Sequence, residues 1–154
     1  MNTPHLASPL QRKLRSTPSW YSVRKYPQLL LRGKWLEDRG CYAYHPFSLY
    51  RPRDHHLLII ANPPSNPYPI DAETKIKDRN FRSTRGGLAY LVLEGEWFWH
   101  CGFGAGDIVE LTSPASGVIE VSVVKTNRQR EKEERRLVRT GQSEWKLFFS
   151  YLTS

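Results

Sequence analysis

Two stretches of this chain repeat one another, and no other feature limits its folding as tightly. Laying Gly33 on Gly95, a displacement of 62 positions, brings Leu29 onto Leu91, Leu31 onto Leu93, Trp35 onto Trp97 and Gly40 onto Gly102. In both copies an apolar run reaches a glycine, a tryptophan follows two residues later, and another glycine follows five residues after that. Similarity of this kind marks each copy as one supersecondary unit. A unit so small cannot bury its own apolar face. The two copies are therefore expected to pack on each other as the subunits of a homodimer would.

The second copy, Leu91 to Val124, is the better kept. Its glycine-rich corner, Gly102 to Asp107, precedes two β-branched runs, Ile108–Leu111 and Val118–Val124, split by Ser113-Pro114-Ala115-Ser116-Gly117. That is a hairpin signal. In the first copy Leu36 to Arg39 predicts one helical turn ended by Gly40, since glycine accepts the left-handed conformation at a helix end. Phe47–Tyr50 predicts a short strand, Arg51-Pro52-Arg53-Asp54 a turn and His55–Ala61 a buried strand. Trp35 and Trp97 are the expected apolar anchors.

The rest of the chain divides around these units. Residues 1–27 read as a flexible basic arm, broken by Pro4, Pro9, Pro18 and Pro27 and carrying Arg12, Lys13, Arg15, Arg24 and Lys25 without an acid. Its Trp20, Tyr21 and Tyr26 suit either stacking on nucleobases or docking of the arm on the core. Residues 28–61 form the first unit, 62–87 a proline-rich, charged linker, 88–125 the second unit and 126–154 a helical tail. Within that tail Asn127–Arg139 predicts a solvated helix and Ser143–Leu152 an amphipathic one.

Lysines and arginines number 23 against 15 acids, a formal charge of +8. This surplus favours contact with a polyanion; solubility alone is the competing explanation. No apolar run approaches the roughly 18–20 residues that span a bilayer, so no membrane partner and a cytoplasmic location are expected. Cys41 and Cys101 suit a reducing compartment, and no disulfide is expected. Cys41, His45, His100 and Cys101 lack the spacing of a zinc site. No phosphate-binding loop, dinucleotide fingerprint or nucleophile elbow is present, and no cofactor is expected.

The pattern Leu91, Leu93, Gly95, Trp97, Gly102, Phe103, Gly106, Asp107, Val109, Gly117, Ile119 and Val121, echoed by Leu29, Leu31, Gly33, Trp35, Leu36, Glu37 and Gly40, resembles the SymE-like toxins of type I toxin–antitoxin systems. In the first copy Tyr44-His45-Pro46 replaces the Gly-Asp corner. The resemblance implies a mainly β (α+β) chain with an AbrB/MazE-like swapped-hairpin barrel. With two copies per chain, the usual homodimer becomes an intrachain pseudo-dimer, monomeric or further paired. It also implies a toxin that binds RNA and promotes its endonucleolytic cleavage to inhibit translation, silenced by an antisense RNA acting on its mRNA. A non-catalytic AbrB-like DNA-binding regulator is the alternative.

Metal-independent RNA cleavage needs a general base, a general acid and a cation at the phosphate. His45, His55, His56 and His100 are the available histidines. His55 and His56 are the first catalytic candidates because they open a strand beside Arg51 and Arg53. Candidate phosphate contacts are Arg32 and Lys34 near the first tryptophan, Arg51 and Arg53 in the turn, Arg79, Arg82 and Arg85 before the second unit, and Lys125, Arg128 and Arg130 after it. A solvated surface charge is the alternative for each.

Overall fold

A computed structural model describes residues 10–17 and 26–139. The elements follow one another as β1 (Leu10–Lys13), β2 (Arg15–Thr17), β3 (Tyr26–Arg32), α1 (Lys34–Glu37), β4 (Pro46–Tyr50) and β5 (His56–Ala61). A 3₁₀ turn (Ala72–Thr74) leads to β6 (Lys75–Asn80), β7 (Arg82–Ser83), β8 (Ala89–Glu94), α2 (Glu96–His100), β9 (Ile108–Ala115), β10 (Val118–Lys125) and α3 (Asn127–Arg139). They form a six-stranded sheet, β1-β9-β10-β5-β4-β6, and a four-stranded sheet, β2-β3-β8-β7. Every described pairing is antiparallel.

The register carries the repeat into three dimensions. In the β3–β8 ladder Leu30 faces Val92, its own counterpart 62 positions on, and Leu29 and Leu31 face Leu93 and Leu91. In the β5–β10 ladder Leu58 faces Glu120, again its counterpart. Two antiparallel ladders centred on equivalent residues define an approximate two-fold axis through both sheets. The chain is thus a pseudo-dimer in its pairing. Neither unit completes either sheet without the other.

The same symmetry governs the irregular joints. Gly117 N–H donates to Arg39 C=O at 2.6 Å, and the equivalent His55 N–H donates to Cys101 C=O at 3.0 Å. Gly117 has φ 73° and His55 φ 66°, so the histidine occupies a conformation that glycine holds in the twin.

The apolar alternation expected of half-buried strands places Leu29, Leu31, Leu91 and Leu93 on the inner face of the small sheet. Phe47, Leu49, Leu57, Ile59, Val109, Leu111, Ile119 and Val121 line the inner face of the large one, in a single cluster. Gly33 and Gly95, at φ 90° and 104°, turn each chain from its strand into a helical turn that caps this core. The residue driven inward there is not the tryptophan. Leu36 and Phe98 are fully buried, whereas Trp35 and Trp97 are only partly so, with Arg39 and Lys77 each 4.0 Å above their rings. In a turn this short one position meets the core, and the preceding residue lies along its rim.

Three further sequence expectations are corrected. Residues 10–17, read as part of a flexible arm, are strands: β1 pairs with β9 and β2 with β3. The candidate stacking residues Trp20 and Tyr21, and the helix expected over Ser143–Leu152, lie outside the described residues. The 62–87 linker is also ordered, because β6 and β7 belong to the two sheets. Its proline-rich part packs Tyr68 and Ile70 on a second apolar cluster, Tyr50, Leu58, Ile60 and Val118, on the far face of the large sheet. Asn66 pins it, donating to Ala61 C=O and Ser116 C=O at 3.4 and 3.2 Å.

The third correction concerns the barrel, which is not closed. The strand run β1-β2 leaves one sheet for the other at buried Leu14, and β6-β7 does so at buried Phe81. The sheets therefore meet at two corners, as in sandwiches whose strands switch sheets.

Replacing Phe98 with Ala should cost about 3–5 kcal/mol, and Trp97→Ala clearly less, measured as the shift in urea midpoint. Unfolding should stay a single transition in both, because the two units share one core.

Candidate nucleic-acid interface

Where β2 leaves β3 and β7 leaves β8, each corner opens a groove. β2 meets β3 only at Tyr26 to Gln28, and β7 meets β8 only at Ala89 and Tyr90. The outer backbone edges of Leu29–Arg32 and Leu91–Glu94 therefore have no strand neighbour among the described residues. In an antiparallel ladder, alternate residues turn their N–H and C=O outward. Gly33 donates to Ala89 C=O across the ladder, which makes Leu30 and Arg32, and in the twin Val92 and Glu94, the outward-facing residues.

The first groove, of about 270 Å³, is lined by Leu10, Arg12, Lys13, Arg15, Gln28 to Arg32 and Trp35. The second, of about 360 Å³, is lined by Phe47, Leu49, Arg79, Asn80, Arg82, Leu91 to Glu94 and Trp97. The two linings correspond nearly residue for residue across the pseudo-two-fold axis. Arg12 and Arg15 stand where Arg79 and Arg82 stand in the twin, at a displacement of 67. The offset exceeds 62 because Arg15 precedes Leu29 by 14 positions, whereas Arg82 precedes Leu91 by 9.

The sequence carries this as Arg12-Lys13-Leu14-Arg15-Ser16-Thr17 against Arg79-Asn80-Phe81-Arg82-Ser83-Thr84. A search at the constant period of 62 passes over it. This is how Arg12, Lys13 and Arg15 were missed as site residues.

Buried Leu14 and Phe81 hold the arginines in place. Leu14 N–H donates to Asp107 C=O and Gly106 N–H to Leu14 C=O, at 2.8 and 2.9 Å. Phe81 N–H donates to His45 C=O and Tyr44 N–H to Phe81 C=O, both at 2.9 Å. Burying the middle residue of Arg-x-Leu/Phe-Arg at a corner leaves the flanking arginines exposed on either side. In the second unit the Asp107 carboxylate, buried, also accepts from Gly104 N–H and Asn127 N–H, each at 2.7 Å. It thereby joins the glycine corner to the start of α3.

The grooves differ in charge. The first has Arg12, Lys13, Arg15 and Arg32 and no acid. The second has Arg79 and Arg82 but places Asn80 where Lys13 stands and Glu94 where Arg32 stands. Glu94 accepts a 2.7 Å bond from Gln28 across the ladder. None of these six cations pairs with a carboxylate among the described residues.

Of the sequence candidates, only Arg32, Arg79 and Arg82 meet in the grooves. Lys34 is exposed at the start of α1, and Arg85 is exposed in the β7–β8 turn. Arg51 pairs with Asp54 beside exposed Arg53, and Lys125 pairs with Glu133. Arg128 is exposed on α3, and the Arg130 side chain lies outside the described residues.

His55 and His56 are not brought together as an acid–base pair. His55 Nδ1 lies 2.6 Å from Gly102 C=O, and its backbone bonds Cys101. His56 Nδ1 lies 3.3 Å from Glu120 Oε1 without hydrogen-bond geometry. No group of three or more metal-ligating side chains occurs among the described residues. Both cysteines are buried and free. Burial pushes the Cys41 thiol up to about 12 against the opposing pull of Arg39, and burial also raises Cys101. Comparison with protein-family models, curated proteins and solved structures gave no match.

The thiols should be inert. A folded-state thiol raised above its unfolded value stays protonated, so it adds stability at neutral pH that is lost as pH climbs from about 9 towards 12. Iodoacetamide at about pH 8 should label neither cysteine in the native protein and both in urea, since the thiolate is the nucleophile. Native labelling of Cys41 would contradict the buried geometry.

Proposed function

We propose that this chain is a nucleic-acid-binding protein of the SymE-like, AbrB-type kind, and that RNA is its ligand. Inhibition of translation through promoted RNA cleavage is the physiological reading that accompanies it. The observation that carries the proposal is the pair of arginine-lined grooves repeated across the pseudo-two-fold axis. The Arg-x-Leu/Phe-Arg-Ser-Thr strand appears twice, and each copy presents its arginines beside an open strand edge.

Unpaired, exposed guanidinium groups suit phosphate, because the planar fork matches phosphate oxygens and is never deprotonated in the physiological range. The remaining cations, spread over the turns and α3, add long-range attraction. In this reading the protein binds RNA and the histidines hold local structure. His55 satisfies the Gly102 carbonyl, and His56 sits beside Glu120.

A duplex-DNA regulator is the second reading. The approximate two-fold axis favours it, since a dimeric binder with two equivalent contact surfaces matches a pseudo-palindromic duplex. The unequal charge of the two grooves favours an asymmetric, single-strand ligand instead.

Fluorescence anisotropy with a labelled single-stranded RNA tests the proposal. If four cations of the first groove meet phosphates, log K should fall against log salt with a slope of roughly −3. Arg12→Ala with Arg15→Ala should make that slope shallower by roughly 1.4, leaving the thermal midpoint unchanged. His55→Ala with His56→Ala should leave affinity unchanged. Equal affinity of the arginine variant and the parent protein at low salt would remove the grooves from consideration. Tighter binding to duplex DNA than to RNA would favour the second reading.

A further inference from the structure

The two corners that hold the grooves open differ in the residues that form them, and a Cβ on Gly106 would meet Asn127 at 2.8 Å. At the second-unit corner the chain passes through Gly104 and Gly106 to Asp107. The equivalent positions of the first unit are Tyr42, Tyr44 and His45. The backbone needs a left-handed residue at the middle position, because its N–H must reach the bent strand while the next carbonyl accepts from it. Gly106 meets that need at φ 87°. Tyr44 meets it at φ 67°, where a bulky residue is strained.

The strain brings no burial in return. Tyr44 is 75% exposed and Tyr42 47% exposed, and His45 is exposed with its ring edge-on to Tyr42 at 5.7 Å. These rings are carried by the corner whose backbone bonds Phe81, the residue that lies between Arg79 and Arg82 in the chain. Aromatic faces beside positive charge are what unpaired nucleobases and their phosphates recognise together. A duplex hides its base faces within the stack and gives such rings nothing to stack on.

We propose that Tyr44, with Tyr42 and His45 beside it, is a base-stacking subsite for single-stranded RNA, continuous with Arg79 and Arg82. The subsite rests on the nucleic-acid reading of the grooves and divides the labour between them. The glycine corner beside Arg12 and Arg15 has no ring at the positions of Tyr42, Tyr44 and His45, and the partly buried Trp35 lies under the Arg39 guanidinium in its groove. The tyrosine corner adds a base contact. Binding across both is then directional: the chain engages one strand in one polarity, in spite of its near-symmetry.

Tyr44→Gly is the decisive variant, because it installs the residue the twin corner uses and relieves the backbone strain. Its thermal midpoint should equal or exceed that of the parent. Its affinity for a short single-stranded RNA containing 2-aminopurine should fall roughly tenfold or more, with loss of the fluorescence quenching that stacking causes. Tyr44→Phe should keep both affinity and quenching, and binding to a blunt RNA duplex should be equal in all three proteins. Unchanged single-strand affinity in Tyr44→Gly would overturn the subsite, as would an equal loss on duplex. If the parent protein binds neither polymer at low salt, the nucleic-acid reading itself fails. If it binds and only Arg79→Ala with Arg82→Ala weakens it, the subsite fails alone.

Discussion

Everything in this structure depends on antiparallel pairing between equivalent strands of the two units. β3 finds its inner neighbour in β8, and β5 finds its neighbour in β10, each ladder centred on a residue facing its own counterpart. Without these ladders four strand edges would be exposed and the apolar faces of both units would meet water. An unpaired, apolar edge is a liability in any sheet. The repeat thus removes its own edges at the centre of the molecule and leaves the remaining openings at the two corners. Those corners carry Arg12, Lys13, Arg15, Arg79 and Arg82.

Symmetry explains which features both units keep, and departures from it point to function. Positions that turn the backbone are matched: Gly33 with Gly95 and Gly40 with Gly102, all at positive φ. The arginines flanking each corner are matched as well. Other positions have diverged without cost to the core, such as Lys13 against Asn80 and Arg32 against Glu94. Two have diverged against backbone preference, His55 against Gly117 and Tyr44 against Gly106; the His55 ring gains a contact with the Gly102 carbonyl, whereas Tyr44 gains no burial. A substitution that makes a corner harder to form, and is not repaid by burial, needs an explanation outside folding.

Much of the central architecture was legible in the sequence. The constant displacement of 62 located both units because their strands and turns face identical constraints. The leucines that the displacement matches, Leu29 with Leu91 and Leu31 with Leu93, are the ones that face the core. The prolines misled in two places. Pro9 and Pro18 bracket strands of four and three residues, too short for alternation to register against composition. The proline-rich segment after Asn62 looks like a tether because proline cannot join a central strand, yet it lies flat over an apolar sheet face, which proline permits. Trp35 and Trp97 attracted the role of core anchor through size, although which residue of a one-turn helix points inward is decided by the geometry of the preceding glycine. The closed barrel followed from the family resemblance, and strand order alone does not reveal that the ladders break at Leu14 and Phe81. The site was legible only in part. Arg32, Arg79 and Arg82 stood out as charges near the units, but their convergence depends on strands that change sheets. The partners of Arg79 and Arg82 across the axis were hidden because their displacement is 67 and that of the units 62.

The most direct test of the grooves as the functional surface is an amide chemical-shift titration of the whole chain with a short single-stranded RNA. The largest shifts are expected along the open edges, at Leu30, Arg32, Val92 and Glu94, and in the bent strands around Leu14 and Phe81, with the Leu57–Ile60 amides unmoved. Shifts confined to α3 or to the His56–Glu120 face, with the edges silent, would contradict the central claim.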